Sequence, residues 1–239
     1  MRNLVPPFSR ERKQLVWLID PDKINATFIE AAASYPDYIF VGGSYISSDQ
    51  LAGLCEMINR SAFTPVVLFP ADPSHLCYEA DAILFLSLVS GRNPEYLIGK
   101  HVLAAPHIHR TGIPVISTAY LLIDGGKQTS ASYISGTSPI PADKPDIAAA
   151  TALAAEMLGM SCIYLDMGSG AENPVSSTMI QAVKKAVNLP VIVGGGIRTP
   201  EALHQVYKAG ADVAVLGTIL EKHPDSFPDF LACRDQFNA

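Results

Sequence analysis

The chain has 239 residues, 49% hydrophobic and 17% charged, with 17 Lys and Arg against 23 Asp and Glu for a net charge of −6. That length admits one large α/β barrel or two small domains. The balance predicts a sizeable apolar core and excludes both a disordered chain and a nucleic-acid binder that works mainly through phosphate contacts. The polar opening MRNLVPPFSRERKQ does not read as a signal peptide. The longest strongly apolar run, AILFLSLV at 82–89, is too short to span a bilayer. Cys55, Cys77, Cys162 and Cys233 form no CxxC pair and sit at no metal spacing with histidine, which favours free thiols in a cytoplasmic protein.

The first strand-like run is LVWLID at 15–20, closing on Asp20-Pro21-Asp22, with a helical pattern over 25–34 behind it. YIFVGG at 38–43 is the second and ends just before Ser44. A carboxylate and a hydroxyl at neighbouring strand ends are hard oxygen donors, suited to Mg²⁺ held jointly with substrate phosphate oxygens. The competing reading makes one of the two aspartates a helix cap. A helix over 48–60 leads to PVVLFP at 65–70, and AILFLSL at 82–88 follows. Only ADPSHLCYEADA separates those two strands, which leaves room for at most a turn or two of helix. A helix over 93–104 precedes PVISTAYLLI at 114–123. His101, His107 and His109 look clustered, but APHIHRTG reads as a helix end and loop, so a surface role is expected of them. The stretch 124–145, DGGKQTSASYISGTSPIPADKP, is expected to be a lid, a binding loop or partly disordered. An alanine-rich helix over 146–158, CIYLDMG at 162–168, a helix over 174–187, PVIVGGG at 190–196, a helix over 199–209, DVAVLGT at 212–218 and a last helix over 225–237 complete the chain.

Eight continuous apolar runs alternating with helices predict a single (β/α)8 barrel domain over 1–239, with the third crossover helix shortened or missing. A doubly wound open sheet is the alternative. In a barrel the active site lies at the carboxyl ends of the strands. Three consecutive ends there carry glycine: Gly168-Ser169-Gly170, Gly194-Gly195-Gly196 and Gly217-Thr218. Glycine lets backbone N–H groups approach an anion closely, so these ends predict a phosphate site. Thr199-Pro200-Glu201 opens the helix after the second of them. Asp166, two residues before Gly168, should point into the mouth, as a general base or as a structural acid paired with Lys or Arg.

The segments WLIDPDK, FVGGS, LSLVSGRNPEYLIGKHV, STAYLLIDGG, YLDMGSGA, VGGGIRTPE and DVAVLGTILE, in this order, resemble the geranylgeranylglyceryl phosphate synthase family, which includes the heptaprenylglyceryl phosphate synthases. The resemblance runs from about residue 13 to 221. It implies a modified barrel in which a short segment replaces the third crossover helix. It implies transfer of an allylic prenyl group, geranylgeranyl foremost, from its diphosphate to the 3-hydroxyl of sn-glycerol 1-phosphate. It implies Mg²⁺ on Asp20 and Ser44, and glycerol phosphate on Tyr164, Leu165, Met167, Gly168, Ser169, Gly170, Gly195, Gly196, Gly217 and Thr218. Asp166 is then placed to take the hydroxyl proton, and Tyr120 with the apolar residues of 115–122 to wall a water-poor prenyl tunnel. The chain departs from the family in three places. Asp166 stands where the family has Glu, Leu18 where dimeric members have Lys, and no Asn occurs at Val89-Ser90. Leu18 implies a branch that forms larger homo-oligomers, so a dimer or a hexamer is expected. A hydrophobic product suggests transient membrane contact. The alternative activity is an isomerase or lyase on a sugar-phosphate-like metabolite, which needs the phosphate glycines but no long apolar channel.

Overall fold

The computed structural model describes residues 8–23, 36–47, 49–61 and 64–239. The helix expected over 25–34 lies outside the described residues. Eight parallel strands close into a barrel in chain order. They are β1 (Gln14–Ile19), β2 (Tyr38–Gly42), β3 (Val66–Phe69), β4 (Ala82–Ser87), β5 (Val115–Leu122), β6 (Cys162–Asp166), β7 (Val191–Gly194) and β8 (Val213–Leu216). The helices are α1 (Leu51–Ser61), α2 (Lys100–Thr111), α3 (Ser130–Ser135), α4 (Pro145–Met157), α5 (Ser177–Ala186), α6 (Pro200–Lys208), α7 (Thr218–Lys222) and α8 (Phe227–Asp235).

The strands read as unbroken apolar runs because both faces are buried. Val16, Phe40, Val67, Leu84, Tyr120, Tyr164, Ile192 and Val215 fill the barrel. Leu15, Trp17, Ile39, Leu68, Leu121, Leu165, Val193 and Leu216 pack outward under the helices. Helix caps follow the sequence: Ser176 Oγ accepts the Met179 N–H at the start of α5, and Thr199 Oγ1 accepts the Ala202 N–H at the start of α6, with Pro200 in its first turn.

Three even-numbered strands begin after an aspartate that clamps the strand before it. Asp37, Asp81 and Asp212 donate their N–H groups to the carbonyls of Leu15, Val66 and Val191. Their carboxylates accept the N–H groups of the same three residues, at 2.9, 2.9 and 2.8 Å. Asp212 also pairs with Lys184, and Asp37 with Arg234 at 2.8 Å. This amino-terminal face of the barrel is built for stability.

The third crossover, 70–81, holds turns and no helix, as its length predicted. The β3–β4 seam is short: only Val67 with Ala82 and Leu68 with Ile83 pair. One expectation is corrected and one is narrowed. The helix expected over 93–104 starts as a π-helical turn, Glu95–Gly99, and runs on to Thr111. Pro106 did not end it, because Ala104 and Ile108 pack into the core on either side of the proline; Gly112, at φ 69°, does. The segment 124–145 is built rather than loose. Ile140 bridges to Ile123, and Thr129 and Ser132 form a capping box that starts α3.

Candidate active site

A polar cavity of about 570 Å³ opens at the carboxyl ends of the strands. The glycine ends of β6, β7 and β8 form one wall through Ser169, Gly170, Gly195, Gly196, Gly217 and Thr218. Their backbones lie against each other. Gly195 and Gly196 take φ of 76° and 73°; a Cβ at 196 would come 2.0 Å from the Asn173 carbonyl oxygen, and one at 195 would come 2.8 Å from that of Gly168. No side chain fits there, so N–H groups can reach a bound anion directly. Ser169 Oγ and Thr218 Oγ1 face each other at 3.5 Å. Gly168 stands behind this wall, and its N–H donates to Asp166 Oδ1 at 2.8 Å.

Strand alternation divides the β6 residues. Tyr164 and Asp166 point into the cavity. Leu165 and Met167, expected at the substrate, send their side chains outward into the layer beneath the helices, and neither lines the cavity. A period of two runs through this strand, and adjacent residues cannot share a face.

Asp166 is buried, and its partners are a phenol and a backbone amide rather than Lys or Arg: Tyr120 Oη donates to Oδ2 and Gly168 N–H to Oδ1. Burial raises its pKa above the ordinary carboxylate value, and these two hydrogen bonds only partly offset the rise. Burial and the adjacent Asp166 push the phenols of Tyr120 and Tyr164 well up, so both stay protonated. Phe69, Tyr120 and Tyr164 form an aromatic cluster with ring centroids 5.3–5.9 Å apart.

On the opposite wall Asp20 closes the short 3-10 turn Pro21–Lys23, while the helix that one reading had an aspartate cap lies outside the described residues. Its Oδ1 accepts the Asp22 N–H at 3.1 Å and its backbone carbonyl accepts that of Lys23. Asp22 is tied to Ser47, whose N–H and Oγ both reach its Oδ2 at 2.8 Å. Lys23 lies between Asp20 at 2.9 Å and Glu221 at 3.5 Å. Burial works against its charge, but the two carboxylates outweigh it and raise its pKa. Among the described residues no three His, Cys, Asp or Glu side chains gather to hold a metal by themselves. Asp20 and Ser44 both line the cavity. Their oxygens are of the kind a hard cation takes, but Asp20 Oδ2 holds the Lys23 ammonium at 2.9 Å, so a cation there would displace Lys23 and draw its other oxygens from substrate and water.

An apolar groove meets this cavity; Gly43, Ser44, Phe69 and Tyr120 line both. The groove runs beside the helix-less crossover, along Pro70, Pro73, Leu76, Phe85 and Leu86, to Ala104 and Ile108 of α2. Of the wall expected from 115–122, only Tyr120 and Leu122 reach it. Ala131, Ile134 and Ser135 of α3 roof it, and Asn93 and Tyr96 hold α3 through the carbonyls of Ser135 and Ile134. His101 is not a surface residue. It is buried on the groove wall, bonded to Ser87 Oγ at 3.1 Å and edge-on to Phe85, while His107 and His109 are exposed. Sequence reasoning also missed Arg198, Lys23, Glu221 and Lys222 on the polar cavity. The Arg198 guanidinium reaches the carbonyls of Gly170 and Ala171 and so joins two glycine loops. Its place two residues after Gly196 was the available signal.

A family model described as the PcrB family matches residues 8–233. The chain belongs to the PcrB family. A relative from Spirosoma linguale, named geranylgeranylglyceryl phosphate synthase, is 49% identical over 232 residues, covering 95% of this chain and 93% of its own. One of the same name from Chitinophaga pinensis is 50% identical over 215 residues, with 88% and 85% covered. Among solved structures, the (S)-3-O-geranylgeranylglyceryl phosphate synthase of Thermoplasma acidophilum, in complex with its substrate sn-glycerol-1-phosphate, superposes with a TM-score of 0.89 at 33% identity and covers 95% of both chains.

Proposed function

We propose that this chain transfers the prenyl group of an allylic diphosphate, geranylgeranyl diphosphate foremost, to the 3-hydroxyl of sn-glycerol 1-phosphate. An ether C–O bond forms, the allylic C–O bond to diphosphate breaks, and the hydroxyl proton leaves. The observation that carries this reading is the meeting of a polar, glycine-walled cavity with an apolar groove at Gly43, Ser44, Phe69 and Tyr120. One accommodates a small phosphate and the other a hydrocarbon, so the bond is made where they join. An isomerase or lyase of sugar phosphates has no use for the groove.

The glycine loops, with Ser169 and Thr218, hold the glycerol phosphate. Asp166 takes the proton: burial makes it a stronger base than an ordinary aspartate, and the Tyr120 hydroxyl fixes its direction. The ring faces of Phe69, Tyr120 and Tyr164 favour the positive charge that develops on the allylic carbons. The groove keeps water from capturing it. Asp20 and Ser44 would hold Mg²⁺, which, when bound, neutralises the departing diphosphate. No helix among the described residues is long and apolar enough to cross a membrane. The chain is proposed to work in the cytoplasm as a homo-oligomer, touching the membrane as its lipid product departs.

The test is an assay with radiolabelled glycerol phosphate, comparing the 1- and 3-phosphate enantiomers, with and without Mg²⁺, against geranylgeranyl and longer diphosphates. Prenylated product is expected from the 1-phosphate alone and only with Mg²⁺. Absence of product from either enantiomer would overturn the reading.

A further inference from the structure

We propose that Cys55 and Cys77 form a modification site: a dithiol that hydrogen peroxide closes to a disulfide, fixing the helix-less crossover against α1. The two sulfurs share a hydrogen bond at 3.2 Å although 22 positions separate them in the chain. Cys55 lies on the buried face of α1 and Cys77 in the crossover. Asn59 of α1 also reaches the crossover, at the Glu79 carbonyl, so the two segments are already held in register. The other thiols have no sulfur partner among the described residues. Cys162 bonds to Thr118 Oγ1 at 3.4 Å inside the barrel, and Cys233 to the Pro200 carbonyl at 3.3 Å.

The pair is asymmetric. The Cys55 thiol, together with the N–H groups of Ala80 and Glu79, lowers the pKa of Cys77, while its partner and burial raise that of Cys55. Cys77, the less enclosed of the two at 5% exposure against 0%, is the thiol a small oxidant reaches and so the nucleophile, and Cys55 is the resolving thiol. Cys77 sits next to Tyr78, which is 74% exposed, on a segment without regular structure. Such segments open locally at lower free energy than barrel strands, which admits a molecule as small as a peroxide. The Cys77 thiolate attacks one peroxide oxygen, the O–O bond breaks and water leaves after protonation, giving a sulfenic acid. Cys55 sulfur, losing its proton, then attacks Cys77 sulfur and expels the second oxygen as water. Two thiols are oxidised and one peroxide is reduced to two waters.

The consequence rests on the proposed function. Leu76, beside Cys77, lines the apolar groove, as do Ala71 and Pro73, and none of them lines the polar cavity. Closing the disulfide pins this wall, so oxidation changes KM for the allylic diphosphate and leaves KM for glycerol phosphate unchanged.

The test treats the full chain with a small excess of hydrogen peroxide, removes it with catalase, and alkylates with iodoacetamide in guanidinium for mass spectrometry. Wild type is expected to retain two alkylatable thiols of its four and to yield a Cys55–Cys77 linked peptide. Dithiothreitol should restore all four, and Cys77→Ser should retain three after the same treatment. Four alkylated thiols in oxidised wild type, or a linkage to Cys162 or Cys233, would overturn the site. An unchanged KM for the allylic diphosphate in the oxidised protein overturns its link to the groove. A protein that forms the disulfide yet transfers no prenyl group even when reduced sinks the reading of the active site and leaves the disulfide standing.

Discussion

Asp166 is both the proposed base and a liability to the fold. Its pKa is raised by burial, so the native state holds its proton more tightly than the unfolded chain does. The stability this contributes is complete below the unfolded value near 3.8 and is lost as pH rises through the higher folded value. At neutral pH the ionised group therefore destabilises the native state. Asparagine keeps both partners, accepting from Gly168 N–H and donating to the Tyr120 oxygen, without the charge. Asp166→Asn is expected to lower kcat by roughly 10²–10⁴-fold, while Tm rises by about 2–4 °C per kcal/mol relieved; near-normal turnover or a fall in Tm would refute this account. Asp20→Asn should remove the response to Mg²⁺ together with activity, as read by a metal titration of product formation; an unchanged metal response takes Asp20 out of the site. At this scale the glycines and Asp166 were legible in the sequence, since each marks a backbone conformation or a charge at a strand end. The side chains of Leu165 and Met167 were misplaced because motif reasoning takes them together with Tyr164 and Asp166, whereas the strand turns alternate residues to opposite faces.

At the scale of elements, the decisive feature is the crossover with no helix. Its shortness could be counted from ADPSHLCYEADA. The groove beside it could not, because its walls come from β3, β4, β5, α2 and α3, which no single stretch of sequence joins. The end of α2 was missed for a related reason: APHIHRTG reads locally as a helix end and loop, and the packing of Ala104 and Ile108 that continues the helix is not local. Ala104 is the smallest side chain that α2 presents to the groove. Ala104→Phe is expected to fill part of it and shift the preferred donor toward shorter chains, at least tenfold in kcat/KM for geranylgeranyl relative to farnesyl diphosphate, because about four buried CH₂ groups at ~0.8 kcal/mol each are at stake. An unaltered donor preference would move the hydrocarbon elsewhere.

For the whole molecule, the two ends of the barrel divide the work. The proposed catalytic groups lie at one end, and the aspartates at 37, 81 and 212 clamp the strands at the other. Asp212→Ala leaves the Val191 N–H and the Lys184 ammonium without their acceptor. It should cost about 3 kcal/mol in urea unfolding with kcat unchanged in the folded fraction; a lower kcat would mean the two ends are coupled. The closed barrel was legible from eight apolar runs and their spacing.

The same architecture leaves one seam weak, where β3 meets β4 through two residue pairs and the crossover between them holds no helix. A prenyl chain lying in the groove would cover that join with hydrocarbon. The donor then works as a removable structural member. By mass action a hundredfold excess over its Kd adds about 2.7 kcal/mol to folding, with slower amide exchange at Leu68 and Ile83 as the local sign. The lifetime of the folded protein would then follow isoprenoid supply, and the catalyst would be sturdiest when its lipid precursor is abundant.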